Sequence, residues 1–393
     1  SRGLGDVYKR QEVLNVSMDF NYYLPVNIVF GRGKVSSVGI IASDHGKKAL
    51  VVTGKSSTKR SGLLNRICSH LKKSGIEYTV FDKVPQNPLT TTAEQAARIA
   101  KDNGCDMVIG VGGGSVMDCA KAAAFIAVND GDINDYIFNR LKSGKALPII
   151  LIPTTCGTGS EGNGFAVLTN PENGDKKSLR CNAIVAKASI IDSECMMTMP
   201  KNVLASVGFD AFCHCMEAYI SRIAQPFTDI MCEKAMKLIA DDLPKLFKGD
   251  NNPEYWDKIS LASTMGGMVI NTAGVTLAHG MEHPVSGFKN AVHGKGLAAI
   301  TPAVTEASIK GDPQKFAFIS KVLGGNNEND CAEQITKFID SLRLTCTLSD
   351  FGVKESDIDM LTDSCMKVSA AGISYHPVKF DRSHIRDLYL KSL

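Results

Sequence analysis

Between residues 47 and 155 short apolar runs alternate with amphipathic ones. "KKALVVTG" reads as a buried strand, "SGLLNRICSHLKKSG" as an amphipathic helix and "IEYTVFD" as a strand. "TTTAEQAARIAKDNG" then reads as a helix and "CDMVIGVGGG" as another buried strand. Apolar runs of strand length separated by helical periodicity indicate parallel βαβ units with helices on both faces of a sheet. "YYLPVNIVFG" precedes the series, and "LPIILIPTT" (147–155) and "AIVAKASIID" (183–192) extend it. After Pro200 the rhythm changes. Helical patterns cover 201–221, 226–247, 255–273 and most of the remainder, and strand signals nearly vanish. The predicted architecture is an α/β half over 18–195, a parallel sheet with flanking helices, followed by an all-helical half over 196–393. Residues 1–17 show no period, and "SRGLGDVYKRQ" is read as a leader or non-native segment outside the fold.

Composition narrows the function classes. With 393 residues, 44% hydrophobic and 22% charged, the chain is long enough for two well-cored domains. The net charge of +3 is spread over both signs, with no basic stripe, so nucleic acid is not an expected partner. Nothing approaches eighteen uninterrupted apolar residues, so no membrane span is expected. Twelve cysteines without a CxxC pair suit free thiols in a reducing, cytoplasmic setting rather than disulfides or a thiolate zinc site.

Three loops at strand ends carry candidate chemistry. "VIGVGGGSVMDCAK" (108–121) is a strand, three glycines and a helix opening at Ser115. Gly112, Gly113 and Gly114 can adopt positive φ and let backbone approach a ligand. Their N–H groups and the positive helix end suit phosphate oxygens, although the stretch is not a GxGxxG fingerprint. "PTTCGTGSE" (153–161) offers Thr154, Thr155 and Thr158 beside Gly157 and Gly159. In an open α/β sheet such loops share one crevice beyond the strands' carboxyl ends. At the first strand's end Gly54 is followed by Lys55, Ser56, Ser57, Lys59 and Arg60. Cations and hydroxyls without a carboxylate suit a phosphorylated ribose.

The helical half concentrates histidine. "GFDAFCHCMEAY" (208–219) puts Asp210, His214 and Glu217 on one helix face, at i, i+4 and i+7. "LAHGMEHPVSGFKNAVH" (277–293) holds His279, His283 and His293, three of the chain's eight histidines. A lone histidine on an apolar helix is usually a satisfied core residue. Four of them with an aspartate, in two pairs of equal spacing, favour a shared cation. A helix pair converging Asp210, His214, His279 and His293 suits Fe²⁺ or Zn²⁺ with room for substrate. The surplus histidine is then free for proton transfer.

Together "GGGSVMDCAK", "PTTCGTGSE", "GFDAFCHCMEAYISR" and "LAHGMEHPVSGFKNAVHGKG", with the end "IRDLYLKSL", resemble the iron-containing (group III) alcohol dehydrogenases over about residues 20 to 393. The resemblance implies a dinucleotide-binding α/β domain and a helical metal-binding, catalytic domain. It implies a divalent metal, iron ahead of zinc, on Asp210, His214, His279 and His293. His283 is then the catalytic proton-relay residue. Gly112, Gly113, Gly114, Ser115 and Asp118 match the pyrophosphate turn, Thr154, Thr155 and Thr158 the cofactor-contacting threonines, and Lys176 a lysine by the nicotinamide ribose. Gly54 and Ser56 fall at the adenosine ribose, where glycine slightly favours NADP(H) over NAD(H). The implied reaction is hydride transfer between NAD(P)(H) and a small primary alcohol, diol or aldehyde, in a homodimer or larger homo-oligomer. Other readings stay open: a polyol dehydrogenase or dehydroquinate-synthase-like enzyme on the same scaffold, or a catalytically silent metal-binding assembly protein. Three departures from the family pattern stand out. Gly162-Asn163-Gly164 is expected to loosen the cleft wall. Glu282 replaces a small residue, and either raises the pKa of His283 or points outward. Cys156 reads as a packed thiol.

Overall fold

The structure is a computed structural model that describes residues 19–393. The segment 1–17 read as a leader therefore lies outside the described residues. The described residues form eight strands: β1 Asn27–Phe30, β2 Lys48–Gly54, β3 Glu77–Val84, β4 Met107–Gly112, β5 Ile149–Pro153, β6 Phe165–Thr169, β7 Lys176–Arg180 and β8 Ala188–Ile191. Six form one parallel sheet in the order β1-β8-β5-β4-β2-β3. The pair β6–β7 is a separate antiparallel hairpin, which the sequence reading missed. Its two arms have five residues each and "KKSLR" is basic, so no apolar alternation announces them.

Successive side chains on the central strands pack onto opposite helical layers. Leu50, Val52, Val108, Ile149 and Leu151 meet the alanine-rich helices Thr90–Asp102 and Gly114–Ile126. Ala49, Val51, Ile109, Val111, Ile150 and Ile152 meet helix Leu63–Lys73 on the other side. Burying each large aliphatic side chain contributes about 1.5–3 kcal/mol. Both faces being covered explains why these strands read as continuous apolar runs. The chain runs outward from β2 to β3, then returns to lay β4 against the other edge of β2. That reversal gathers the carboxyl ends of β2, β4 and β5 around one crevice.

Beyond β8 the described residues contain helices only. Lys201–Ile220, Pro226–Lys248 and Pro253–Ala273 pack against one another, followed by Leu277–Lys289 and His293–Ser308. Proline at the first position and a glutamine cap start the second, and left-handed Gly249 ends it. Lys201–Ile220 is apolar nearly all round because protein surrounds it. By length and composition it could cross a membrane, but 89% of its most apolar stretch is buried inside the molecule. It also carries Asp210, His214 and Glu217. All twelve cysteines are free, and Cys156 is a packed thiol, fully buried and pushed up to about 12 by that burial.

Candidate functional site

Three helices, rather than the expected pair, build the histidine cluster. Asp210 and His214 come from Lys201–Ile220 and His279 from Leu277–Lys289. His293 opens the next helix after the chain turns at left-handed Asn290. Asp210 Oδ1 lies 3.4 Å from His279 Nε2, 3.6 Å from His293 Nε2 and 3.7 Å from His214 Nε2. Asp210, His279 and His293 bring their donor atoms closest together. His214 joins from the side, its ring stacked on His279 at 4.6 Å between centroids.

These separations exceed ordinary hydrogen bonds of about 2.7–3.2 Å. Asp210 Oδ1 and His279 Nε2 are buried with no hydrogen-bond partner among the described residues. Orphaned buried polar atoms are rare and call for an explanation. One carboxylate oxygen and three imidazole nitrogens facing one another fit a divalent cation, and the donor set suits iron or zinc.

Two buried carboxylates aim these imidazoles. Glu217 Oε1 lies 2.5 Å from His279 Nδ1, while its Oε2 accepts from Thr276 N at 2.6 Å and Thr276 Oγ1 at 3.0 Å. Glu282 is fully buried, with Oε2 on His293 Nδ1 and Oε1 on Ser286 Oγ. An ionised carboxylate only accepts, so each Nδ1 is fixed as a protonated nitrogen and each Nε2 is the atom that would give its lone pair to a cation, shedding any proton it holds as the metal binds. Glu282 thus serves His293; it neither points outward nor faces His283, as the sequence reading offered. Gly296 makes room for it, since a β-carbon there would sit 2.7 Å from Glu282 Oε1. Replacing Glu282 by alanine is expected to weaken metal affinity by about 10–100-fold. Competition with a chromophoric chelator measures this, and unchanged affinity refutes it.

The electrostatics match. Burial alone would raise Asp210, but His214, His293 and His279 outweigh it and hold the carboxyl well below its usual range. Burial lowers His279, yet Glu217 and Asp210 push it up to about 10. His214 is lowered to about 4, chiefly by burial.

His283 lines a cavity of about 140 Å³ together with His214, His279 and His293. Burial, then the nearby Lys176, holds its pKa well below the ordinary value. A neutral imidazole facing the cluster can accept or deliver a proton. Lys176 lines the same cavity, its Nζ 3.1 Å from Asn87 Oδ1.

The glycine turn stands between this cavity and a second one. Gly114, Ser115 and Thr158 line the first, while Gly113, Thr154, Thr155 and Arg60 line the second, of about 490 Å³. None of Gly112, Gly113 and Gly114 has positive φ, which corrects the reason expected for them. Close approach is what demands glycine. A β-carbon on Gly113 would lie 3.0 Å from Thr155 Oγ1, and one on Gly114 would collide with Thr158. Thr154 N donates to Gly112 O at 3.0 Å, locking the two loops together. The helix begins at Gly114, so its positive end faces the shared wall.

Asp118 reaches the first cavity, but both its oxygens are engaged: Ser160 Oγ donates at 2.6 Å and Val167 N at 3.0 Å. Beside it lies Lys121, fully buried and unremarked in the sequence. Its Nζ donates to Ser160 O, Ser160 Oγ, Asn163 Oδ1 and Phe165 O at 2.5–3.0 Å. Burial pushes this ammonium down to about 8, against the pull of Asp118 and Glu161. The 162–164 stretch is therefore tightly held, contrary to the expected loosening. Asn163 anchors Lys121, a β-carbon on Gly162 would meet Met268 at 2.9 Å, and Gly164 N donates to Asn271 Oδ1 at 3.0 Å.

At the end of β2 the structure brings in a carboxylate that the sequence reading lacked. Asp82, on β3, pairs with Lys59 and is held low by it. Gly54 and Ser56 do not line the second cavity; Ser57, Thr58 and Arg60 do.

Two family profiles match the chain. "Iron-containing alcohol dehydrogenase" covers residues 25–193, and "Fe-containing alcohol dehydrogenase family, C-terminal" covers 204–393. The chain belongs to the iron-containing alcohol dehydrogenase family. Among relatives, this family member is 31% identical over 356 residues to the NAD-dependent methanol dehydrogenase of Bacillus methanolicus, spanning 88% of this chain and 93% of that one. It is 32% identical to the 1,3-propanediol dehydrogenase of Citrobacter freundii, over 88% and 92% of the two chains. The archaeal halo-thermophilic Red Sea brine pool alcohol dehydrogenase superposes with a TM-score of 0.92 at 30% identity, covering 96% of this chain and all of that one.

Proposed function

We propose that this iron-type alcohol dehydrogenase interconverts a small primary alcohol or diol with its aldehyde, using a nicotinamide dinucleotide and a divalent metal. The convergence of Asp210 and three imidazoles at one end of a cavity walled by the glycine turn carries the reading. In the reduction direction the carbonyl carbon gains a hydride and the carbonyl oxygen a proton. Oxidation runs the reverse. The metal would supply Lewis acidity and the nicotinamide the hydride. The chain's own residues do the rest. Asp210, His214, His279 and His293 would hold the cation, Glu217 and Glu282 aim two of those imidazoles, and His283 moves the proton.

The dinucleotide would lie with its pyrophosphate on Gly113–Ser115, adenosine in the larger cavity and nicotinamide beside Lys176. The α/β residues up to about 195 thus serve the cofactor and the helical residues after it the metal. NAD-dependent relatives support NAD(H). Arg60 on the adenosine cavity favours acceptance of NADP(H) as well, although Lys59 is spent on Asp82. Iron is the first choice of metal and zinc the second. A homodimer or larger assembly, in the cytoplasm, completes the reading. Mixing Fe²⁺- or Zn²⁺-loaded protein with NADH or NADPH and aldehydes of two to four carbons is expected to give metal-dependent loss of nicotinamide absorbance. No oxidation with either cofactor across that panel would sink the proposal.

A further inference from the structure

The substrate cavity carries a charge asymmetry that the reaction does not use. The hairpin β6–β7 presents one face to it: Phe165 and Val167 from β6, and Lys176, Ser178 and Arg180 from β7. Residues at i, i+2 and i+4 of a strand point the same way, so these three polar groups span about 13 Å of cavity wall. Lys176 is held at one end by Asn87. At the other end the Arg180 guanidinium rests on the Phe165 ring, 4.4 Å from its centroid. Among the described residues no carboxylate pairs with Arg180, and the Ser178 hydroxyl has no hydrogen-bond partner. Both also line an adjoining cavity of about 260 Å³, together with Lys177 and Tyr375 and with no acidic side chain. Nearby Asp175 is taken by Lys367 at 2.6 Å. Within the first cavity Asp118 is the acidic lining residue, and its oxygens are engaged.

A planar guanidinium stacked on a ring, free of its own counter-ion and beside a free hydroxyl, matches an oxyanion. Resting on the oxidoreductase reading above, we infer that Arg180 and Ser178 form a subsite for an anionic group at the far end of the substrate. The substrate class is then a short aldehyde or alcohol ending in a carboxylate, sulfonate or phosphate. The reacting carbon sits at the histidine cluster, and the charged tail lies at the Arg180 end of the hairpin, where Ser178, Arg180 and Val275 line both cavities. Ile270 and Val275 leave the intervening wall apolar, which suits a short methylene spacer.

The test compares succinic semialdehyde and a sulfonate-ended three-carbon aldehyde with pentanal, using metal-loaded wild-type protein and the variants Arg180→Gln and Arg180→Lys. The wild type is expected to favour the anionic aldehydes in kcat/KM by about tenfold or more, the range of a hydrogen bond between charged groups. Arg180→Gln should collapse that ratio through KM for the anionic series, and Arg180→Lys should restore part of it. The better of the two anionic probes identifies the oxyanion. Equal or better use of pentanal by the wild type overturns the subsite, as does an Arg180→Gln change of equal size in both series. Absence of turnover with every aldehyde overturns the oxidoreductase reading itself, and the subsite with it.

Discussion

The Asp210→Asn protein is expected to fold, lose its metal and fall about a thousandfold in kcat/KM, several kcal/mol of lost charge stabilisation. Asparagine fills the space of aspartate, so packing around this buried position is preserved. What disappears is the negative charge facing three Nε2 atoms at 3.4–3.7 Å. Elemental analysis should find metal well below one equivalent after loading and desalting, with the circular dichroism of the native protein. Alanine at His279 is a poorer probe, because it also strands Glu217, whose carboxylate is buried and bonded to that imidazole. A full equivalent of metal retained by Asp210→Asn, with near-native turnover, would remove the aspartate from the site.

Lys121→Met is expected to destabilise the protein by roughly 3–5 kcal/mol, the cost of removing one partner from a buried charged network. For the α/β half unfolding as a unit of about 180 residues, that corresponds to a fall of about 10 °C in the melting temperature. Methionine has similar length but donates nothing. Ser160 O, Asn163 Oδ1 and Phe165 O each lose a buried donor, and Asp118 and Glu161 lose their counter-charge. The damage should extend to the cleft, because the same lysine ties the 160–164 turn and the start of β6 to the helix behind the glycine turn. Calorimetry measures the first effect and cofactor titration the second. A melting temperature within 2–3 °C of wild type, equivalent to roughly 1 kcal/mol, would show that the network contributes little.

Local pattern alone carried the sheet, the helices and the identity of the clustered residues. Buried parallel strands must be apolar throughout, so "KALVVTG", "MVIGVG" and "IILIP" announce themselves. Spacing of i, i+4 puts Asp210 with His214, and His279 with His283, whatever surrounds the helices. Which of the two histidines at 279 and 283 faces Asp210 is a different matter. Helix-to-helix packing decides it, and His279 faces the aspartate while His283 turns to the cavity. The same limit hid Glu282, whose neighbour in sequence is His283 but whose partner in space is His293, eleven residues on and on another helix. It hid Asp82, twenty-three positions from Lys59, the lysine it neutralises just past the β2 strand end, and Lys121, which reads as an ordinary helical lysine until the 160–165 backbone closes over it. Periodicity reports which face of an element is apolar. Pairings between charged groups on different elements exist only once long-range packing has removed them from water.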